Sequence, residues 1–143
     1  ALYITNQQDD ENDMIDDIIH ELAHAVEEKY REFLYDDDRI KDEFLRKREA
    51  LRRVLKYEGY PVEEYFFTTS EYDADFDMFL LSKVGYPQLK VLSQHIFASP
   101  YAATSLNEYY ADGFEDYFLG KRRNLKEISP ILYSKLEEVE DET

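Results

Sequence analysis

The segment His20-Glu21-Leu22-Ala23-His24 constrains this chain more than any other stretch. Residues four apart lie almost above one another on an α-helix, since each residue turns the chain by about 100°. On a helix, His20 and His24 therefore direct two imidazoles toward one point. Neutral imidazole is a good Zn²⁺ ligand, and the adjacent Glu21 can hold and deprotonate a water molecule. The segment predicts a helix that presents a metal site.

The flanking residues favour a helix at this place. Carboxylates at residues 9–13 suit a helix start near Asp13, and we expect the helix to end near Tyr35. The competing interpretation is a chance pattern in an acidic helix, but two of the three histidines fall in the motif. Apolar side chains recur at helical spacing and predict one buried face, formed by Ile15, Ile18, Ile19, Leu22, Ala25, Val26, Tyr30 and Phe33.

The rest of the chain also has mainly helical patterns. We expect helices over residues 38–57, 71–84, 87–97, 105–119 and 125–140. Ser105 begins a capping box, Gly120 ends that helix, and the charged face of the 38–57 helix is expected to be solvated. Residues 1–6 read as a strand, and residues 65–69 as a strand or an extended segment. The predicted fold is mainly α (α+β), with a short edge strand or small antiparallel sheet, in a single domain over residues 1–143.

Charge and composition narrow the possible partners. The net charge of −16 argues against nucleic acid and against an anionic membrane surface, and it favours basic peptides or protein surfaces. The same charge also suits a domain that is merely kept soluble. The chain has no cysteine, so His and carboxylate side chains must hold any zinc. No signal or membrane segment is expected, and the compartment and oligomeric state are not fixed by the sequence.

A catalytic zinc site needs a third protein ligand. Glu108 is the favoured candidate, because a ligand from a separate helix encloses the ion from another side. Asp112, one turn further on, can accept a hydrogen bond from the free ring nitrogen of a zinc-bound histidine, which fixes its tautomer. Glu27 is the rival, either as ligand or as support for a histidine. His95 is expected to pack or to make a structural hydrogen bond.

Two motifs together resemble the gluzincin metallopeptidases, most closely the group of the anthrax lethal factor catalytic domain and the bacterial Pro-Pro endopeptidases. They are His-Glu-x-x-His at residues 20–24 and Asn-Glu-x-x-x-Asp at residues 107–112. Tyr101 stands seven residues before Glu108, as a Tyr does in that group, and residues 125–133 resemble its Leu-Lys, Pro, Tyr pattern. The resemblance covers residues 1–35 and 99–140. Asp112 replaces a frequent Glu, and Ala23 a frequent Gly.

The resemblance implies a compact zincin-like domain with one catalytic Zn²⁺ held by His20, His24 and Glu108. It implies Glu21 as general base, Tyr101 as a hydrogen-bond donor to the oxyanion, and residues 1–6 as the edge strand that aligns a peptide. A packed or surface aromatic is the alternative for Tyr101.

We therefore expect a zinc-dependent endopeptidase that acts on peptides or proteins. The alternatives are a catalytically silent binding or structural module, for example of a viral particle, and a metal-dependent hydrolase of a non-peptide amide. Members of the group are typically secreted, whereas these residues are also compatible with a cytoplasmic or virion-associated protein.

Overall fold

The computed structural model describes residues 2–63 and 69–142, and this part of the chain is mainly helical, as predicted. No strand occurs among these residues. None of the described helices combines the length and apolar character that crossing a membrane requires. The elements in chain order are α1 (Leu2–Lys29), α2 (Arg31–Tyr35), α3 (Arg39–Tyr57), α4 (Ala74–Phe79) with a π-helical turn (Leu80–Val84), α5 (Tyr86–Ser93), a 3₁₀ turn (Pro100–Ala103), α6 (Leu106–Phe118), α7 (Arg122–Ile128) and α8 (Pro130–Glu142).

The predicted strand over residues 1–6 is corrected to helix for residues 2–6, because α1 begins at Leu2 and continues through the polar residues that follow. A strand needs a neighbouring strand to satisfy its backbone groups, and the described residues offer none. The helix predicted to reach Tyr35 is interrupted at Tyr30, which separates α1 from α2. The possible strand at 65–69 lies outside the described residues except for its last position.

The apolar face predicted for α1 is buried only in part. Ile19 and Val26 pack against the core, and Ala23 is fully buried. Ile18 and Leu22 instead keep 57% and 47% of their surface exposed. The reason is that α1 packs mainly against α6 and α2, so only a narrow stripe of its surface is covered. That stripe faces α6, and the histidine motif lies along it.

Helix α6 lies at the centre of the packing. It contacts α1, α3, α7, α8 and the 3₁₀ turn. Its start is fixed by Ser105, whose hydroxyl oxygen accepts the Glu108 backbone N–H at 3.1 Å, as the capping box predicts. It ends before Gly120, whose φ of 97° suits glycine. The described buried side chains of α6 are mostly aromatic and include Tyr109, Tyr110, Phe114 and Tyr117.

The charged face of α3 is not wholly solvated, contrary to the prediction. Glu43 is only 4% exposed, and its carboxylate accepts the Tyr109 hydroxyl at 2.6 Å. It also accepts the backbone N–H groups of Ile131 at 2.8 Å and Leu132 at 3.2 Å, at the positive end of α8. One buried carboxylate on α3 therefore joins α6 and the start of α8.

Two further charged side chains of α3 are buried and also contact backbone groups of other segments. The Lys47 ammonium donates to the carbonyl oxygens of Ile96 and Ile128, at the ends of neighbouring segments. Burial lowers the pKa of Lys47 to about 8. Arg48 donates to the Thr69 carbonyl oxygen, and its guanidinium lies 4.2 Å from the centre of the Phe76 ring. These contacts hold the backbone at Thr69, at Ile96 after α5, and at the C-terminal end of α7.

Helix α8 packs closely on α6 at Gly113. A Cβ atom at this position would lie 2.3 Å from Leu132 Cδ2 and 3.5 Å from Leu125 Cδ1. Because Leu132 is fully buried, its side chain has little room to move. We expect Gly113→Ala to lower the free energy of unfolding by about 1–2 kcal/mol, since overpacking exceeds the gain in helix propensity. Urea unfolding measures this.

The same substitution in a Leu132→Ala background is the matched control. There the new methyl group has space, so Gly113→Ala should cost less or become stabilising. A higher unfolding midpoint for Gly113→Ala in the wild-type background would contradict the close approach.

Candidate metal centre

The two motif histidines converge on one point, as the spacing predicts. Their Nε2 atoms lie 3.1 Å apart, and the ring planes are nearly perpendicular, at 88°. Both rings are half-buried between α1 and α6. Two ligands of a tetrahedral zinc ion are separated by about 3.3 Å, so the observed spacing suits a shared ion.

The outer nitrogens of both rings contact carboxylates. His20 Nδ1 lies 3.0 Å from Glu115 Oε1, and His24 Nδ1 lies 3.4 Å from Glu27 Oε1. A carboxylate only accepts, so each Nδ1 carries the hydrogen. In neutral rings the two Nε2 lone pairs then face each other, which is repulsive unless a cation lies between them. This donor set fits a metal ion.

Glu108 completes the cluster from a different helix. Ligand atoms of His20, His24 and Glu108 all lie within 4.8 Å of one another. Glu108 stands in the first turn of α6, which Ser105 caps, so the same capping box that begins the helix also places this carboxylate. The structure therefore brings together the three residues predicted as metal ligands.

Glu27, the rival third ligand, is engaged elsewhere. It is 5% exposed, contacts His24 Nδ1 and accepts the Tyr35 hydroxyl. With its amide NH₂ directed at this carboxylate, Asn107 donates to both oxygens, at 2.7 and 3.0 Å. These donors leave Glu27 as the group that orients His24, because its hydrogen bond selects the tautomer and fixes the ring.

The prediction for Asp112 needs correction. Its carboxylate accepts the Ser99 hydroxyl at 3.0 Å, whereas the carboxylate on His20 belongs to Glu115. The reason is helical phase: residue 115 lies two turns after Glu108 and only about 20° from it around the axis, whereas residue 112 is about 40° away on the other side. Counting two turns from Glu108, instead of one, would have found Glu115 in the sequence.

Burial strongly affects the Asp112 carboxyl. Removal from water raises its pKa to about 7, and the nearby charge of Asp116 adds to the effect. Asp112 is therefore a carboxyl on α6 that is partly neutral near pH 7.

Tyr101 and Glu21, the two residues predicted to act on a substrate, are both exposed. Tyr101 is in the 3₁₀ turn and is 48% exposed. Partial burial raises its pKa, and the Glu108 charge raises it further, so its hydroxyl is within electrostatic reach of Glu108. Glu21 follows His20 on α1, and its side chain is exposed.

Two tyrosines that donate hydrogen bonds to the same carboxylate, Asp77, lie close to Tyr101. Asp77 accepts the hydroxyl of Tyr72 at 2.8 Å and that of Tyr86 at 2.5 Å. The charge of Asp77 also raises the pKa of Tyr101. Sequence patterns did not predict this arrangement, because its members come from separate segments.

Comparisons with protein-family models, with curated protein sequences and with solved structures give no match to this chain.

Zinc affinity tests whether Glu115, and not Asp112, is the carboxylate that supports His20. We expect Glu115→Gln to weaken zinc binding by about tenfold or more, because the acceptor of the His20 Nδ1–H group loses its negative charge and the ring becomes a less basic ligand. Asp112→Asn is the matched control and should change the affinity by less than about twofold. Competition with a chromogenic chelator measures both, and the reverse order of effects would show that Asp112 supports the histidine.

The raised pKa of Asp112 predicts a pH-dependent stability. The folded state holds this proton more tightly than the unfolded chain, so stability is lost as pH rises from about 4 to about 7. Asp112→Asn removes this loss. Relative to the wild type, the variant should therefore gain up to about 3 kcal/mol in free energy of unfolding between pH 4.5 and pH 8. Urea unfolding at both pH values, with exposed Asp141→Asn as control, measures the gain; a difference that is constant with pH would contradict it.

Proposed function

We propose that this chain is a zinc-dependent endopeptidase with a zincin-like metal site, in which His20, His24 and Glu108 bind one Zn²⁺. The observation that supports this most is the cluster of these three side chains, in which the Nε2 atoms of the two histidines lie 3.1 Å apart. Three protein ligands leave a fourth position for water or substrate, as in catalytic zinc sites.

The bound ion would lower the pKa of a water molecule and polarise a peptide carbonyl. Glu21 follows a ligand on the same helix and is exposed. Its carboxylate takes the proton of the attacking water and returns it to the leaving amine as general acid. The side chain therefore acts twice in one turnover.

Tyr101 donates a hydrogen bond to the carbonyl oxygen as that oxygen gains negative charge. Partial burial and the Glu108 charge raise the pKa of Tyr101, so its hydroxyl keeps its proton at neutral pH. Nearly half of its surface is exposed, which leaves it accessible to a substrate.

Glu27 and Glu115 act through the histidines. Each accepts a hydrogen bond from an Nδ1 atom, and each thereby directs an unprotonated Nε2 toward the ion. Asn107 and Tyr35 hold Glu27 in turn. The zinc site thus depends on positioning residues from α1, α2 and α6.

The substrates are peptides or proteins, and the acidic surface favours basic ones at long range. The edge strand that aligns substrates in the zincins is not among the described elements, so substrate alignment is assigned here to the groups around the cluster.

The decisive variant is Glu21→Gln. Zinc content should be unchanged, and kcat on a cleavable peptide from a mixed library should fall by about 10²–10⁴-fold, because only the proton acceptor is lost. Metal analysis and cleavage assays measure the two quantities on the same sample. Loss of zinc in this variant would mean that Glu21 is a ligand.

The exposed Glu28→Gln is the matched control on the same helix and should behave as the wild type. Tight zinc binding without cleavage of any peptide by the wild type would favour the binding module over the peptidase. Cleavage of simple amides but not of peptides would favour the non-peptide hydrolase.

A further inference from the structure

A cavity of about 610 Å³ opens beside the third metal ligand. Glu108 lines it, so one wall of the cavity is a member of the metal cluster. Tyr72 forms part of another wall, and its hydroxyl is fixed by Asp77 at 2.8 Å. Cavities of this size hold small ligands or substrate side chains. A group that enters this cavity therefore lies next to the proposed reaction centre.

Two basic side chains line the same cavity. Arg31 comes from the start of α2 and Lys41 from the first turn of α3. Burial and the neighbouring Glu27 raise the pKa of the Tyr35 hydroxyl, and the positive charge of Arg31 partly offsets this rise. The two cations thus border the cavity from neighbouring helices.

Neither Arg31 nor Lys41 forms an ion pair within the described part of the chain. Other basic residues do: Lys135 contacts Asp37 at 2.7 Å, and Arg122 contacts Glu140 at 3.2 Å. Arg31 and Lys41 are exposed, so both are available to an anionic group that enters the cavity.

The carboxylates around the cavity are mostly engaged. Glu27 receives hydrogen bonds from three neighbours, and Glu108 faces the two histidines. Among the described residues that line the cavity, Glu71 is the one exposed carboxylate without a side-chain partner. Two available cations therefore oppose one available anion.

We propose that this cavity is a substrate subsite that receives an acidic side chain, aspartate or glutamate, next to the scissile bond. The inference rests on the proposed peptidase function and gives it a specificity. Arg31 and Lys41 are the specificity-determining residues, and the carboxylate of the substrate lies between them.

The acidic surface does not conflict with this preference. Net charge acts at long range and is screened over about 8–10 Å at physiological salt. The cavity acts at contact distance on one side chain. A favoured substrate is therefore basic in its overall sequence but acidic at the position that enters the cavity.

The test uses short peptide hydroxamates, whose metal-chelating group anchors them at the zinc-loaded protein without turnover. Three compounds differ only in the residue next to the hydroxamate: Glu, Gln or Lys. Calorimetry should show the Glu compound binding about three- to tenfold more tightly than the Gln compound, with the Lys compound weakest. The preference should shrink in high salt.

The double variant Arg31→Gln with Lys41→Gln should lose this preference. Lys56→Gln with Arg123→Gln is the matched control, because it removes the same charge from exposed positions that do not line the cavity. Unchanged thermal unfolding would verify that both variants are folded.

Three results would overturn the subsite: equal binding of the Glu and Gln compounds, tighter binding of the Lys compound, or a preference for Glu that survives in the double variant. Failure of all three compounds to bind would also overturn it, since the cavity would not communicate with the metal site. Tight Glu-selective binding without cleavage of matching peptides would instead support the subsite and contradict the peptidase. Cleavage of peptides without a charge preference would support the peptidase and contradict the subsite.

Discussion

The close approach of two imidazole nitrogens is the constraint on which the candidate site depends. The Nε2 atoms of His20 and His24 lie 3.1 Å apart, and each Nδ1 atom contacts a carboxylate. With Nδ1 as the donor to the carboxylate, a neutral ring directs its Nε2 lone pair at this shared point, where a cation would be favourable. The polar network behind the rings is therefore compatible with the proposed metal site.

Helix α6 carries most of the side chains that surround or support the two histidines. Along one face it carries Glu108, the proposed third ligand, and the carboxylate of Glu115, which contacts His20. Asn107, one residue earlier, holds the carboxylate on His24. A single rigid helix therefore sets the distances between three functional groups, and its packing against α3, α7 and α8 keeps it in place. Rigid support of this kind is what precise metal geometry requires.

Local patterns in the sequence predicted the parts of the site that depend on helical spacing. His20 and His24 follow from the four-residue repeat, and the cap at Ser105 follows from a pattern of four residues. The choice of Glu108 over Glu27 needed the argument that ligands should surround an ion. Glu115 was missed, because the pairing of a residue on α6 with one on α1 depends on how the two helices are rotated against each other.

Other predictions from the sequence failed for a similar reason. Glu43 and Lys47 have the spacing of a solvated helix face, but the ends of α5, α7 and α8 approach that face and bury both charges. Ile18 and Leu22 have the spacing of a buried face, but no described helix covers them. Residues 2–6 have strand-like composition, yet a helix that begins at Leu2 includes them. Each outcome depends on contacts between distant segments, which periodicity does not specify.

The most direct test is a crystal structure of the zinc-loaded protein with anomalous data at the zinc edge. If the proposed zinc site is correct, we expect one strong peak about 2.0–2.2 Å from Nε2 of His20, Nε2 of His24 and a carboxylate oxygen of Glu108, with one position left for solvent. A peak away from Glu108, a fourth protein side chain on the ion, or no peak at the two rings would contradict it.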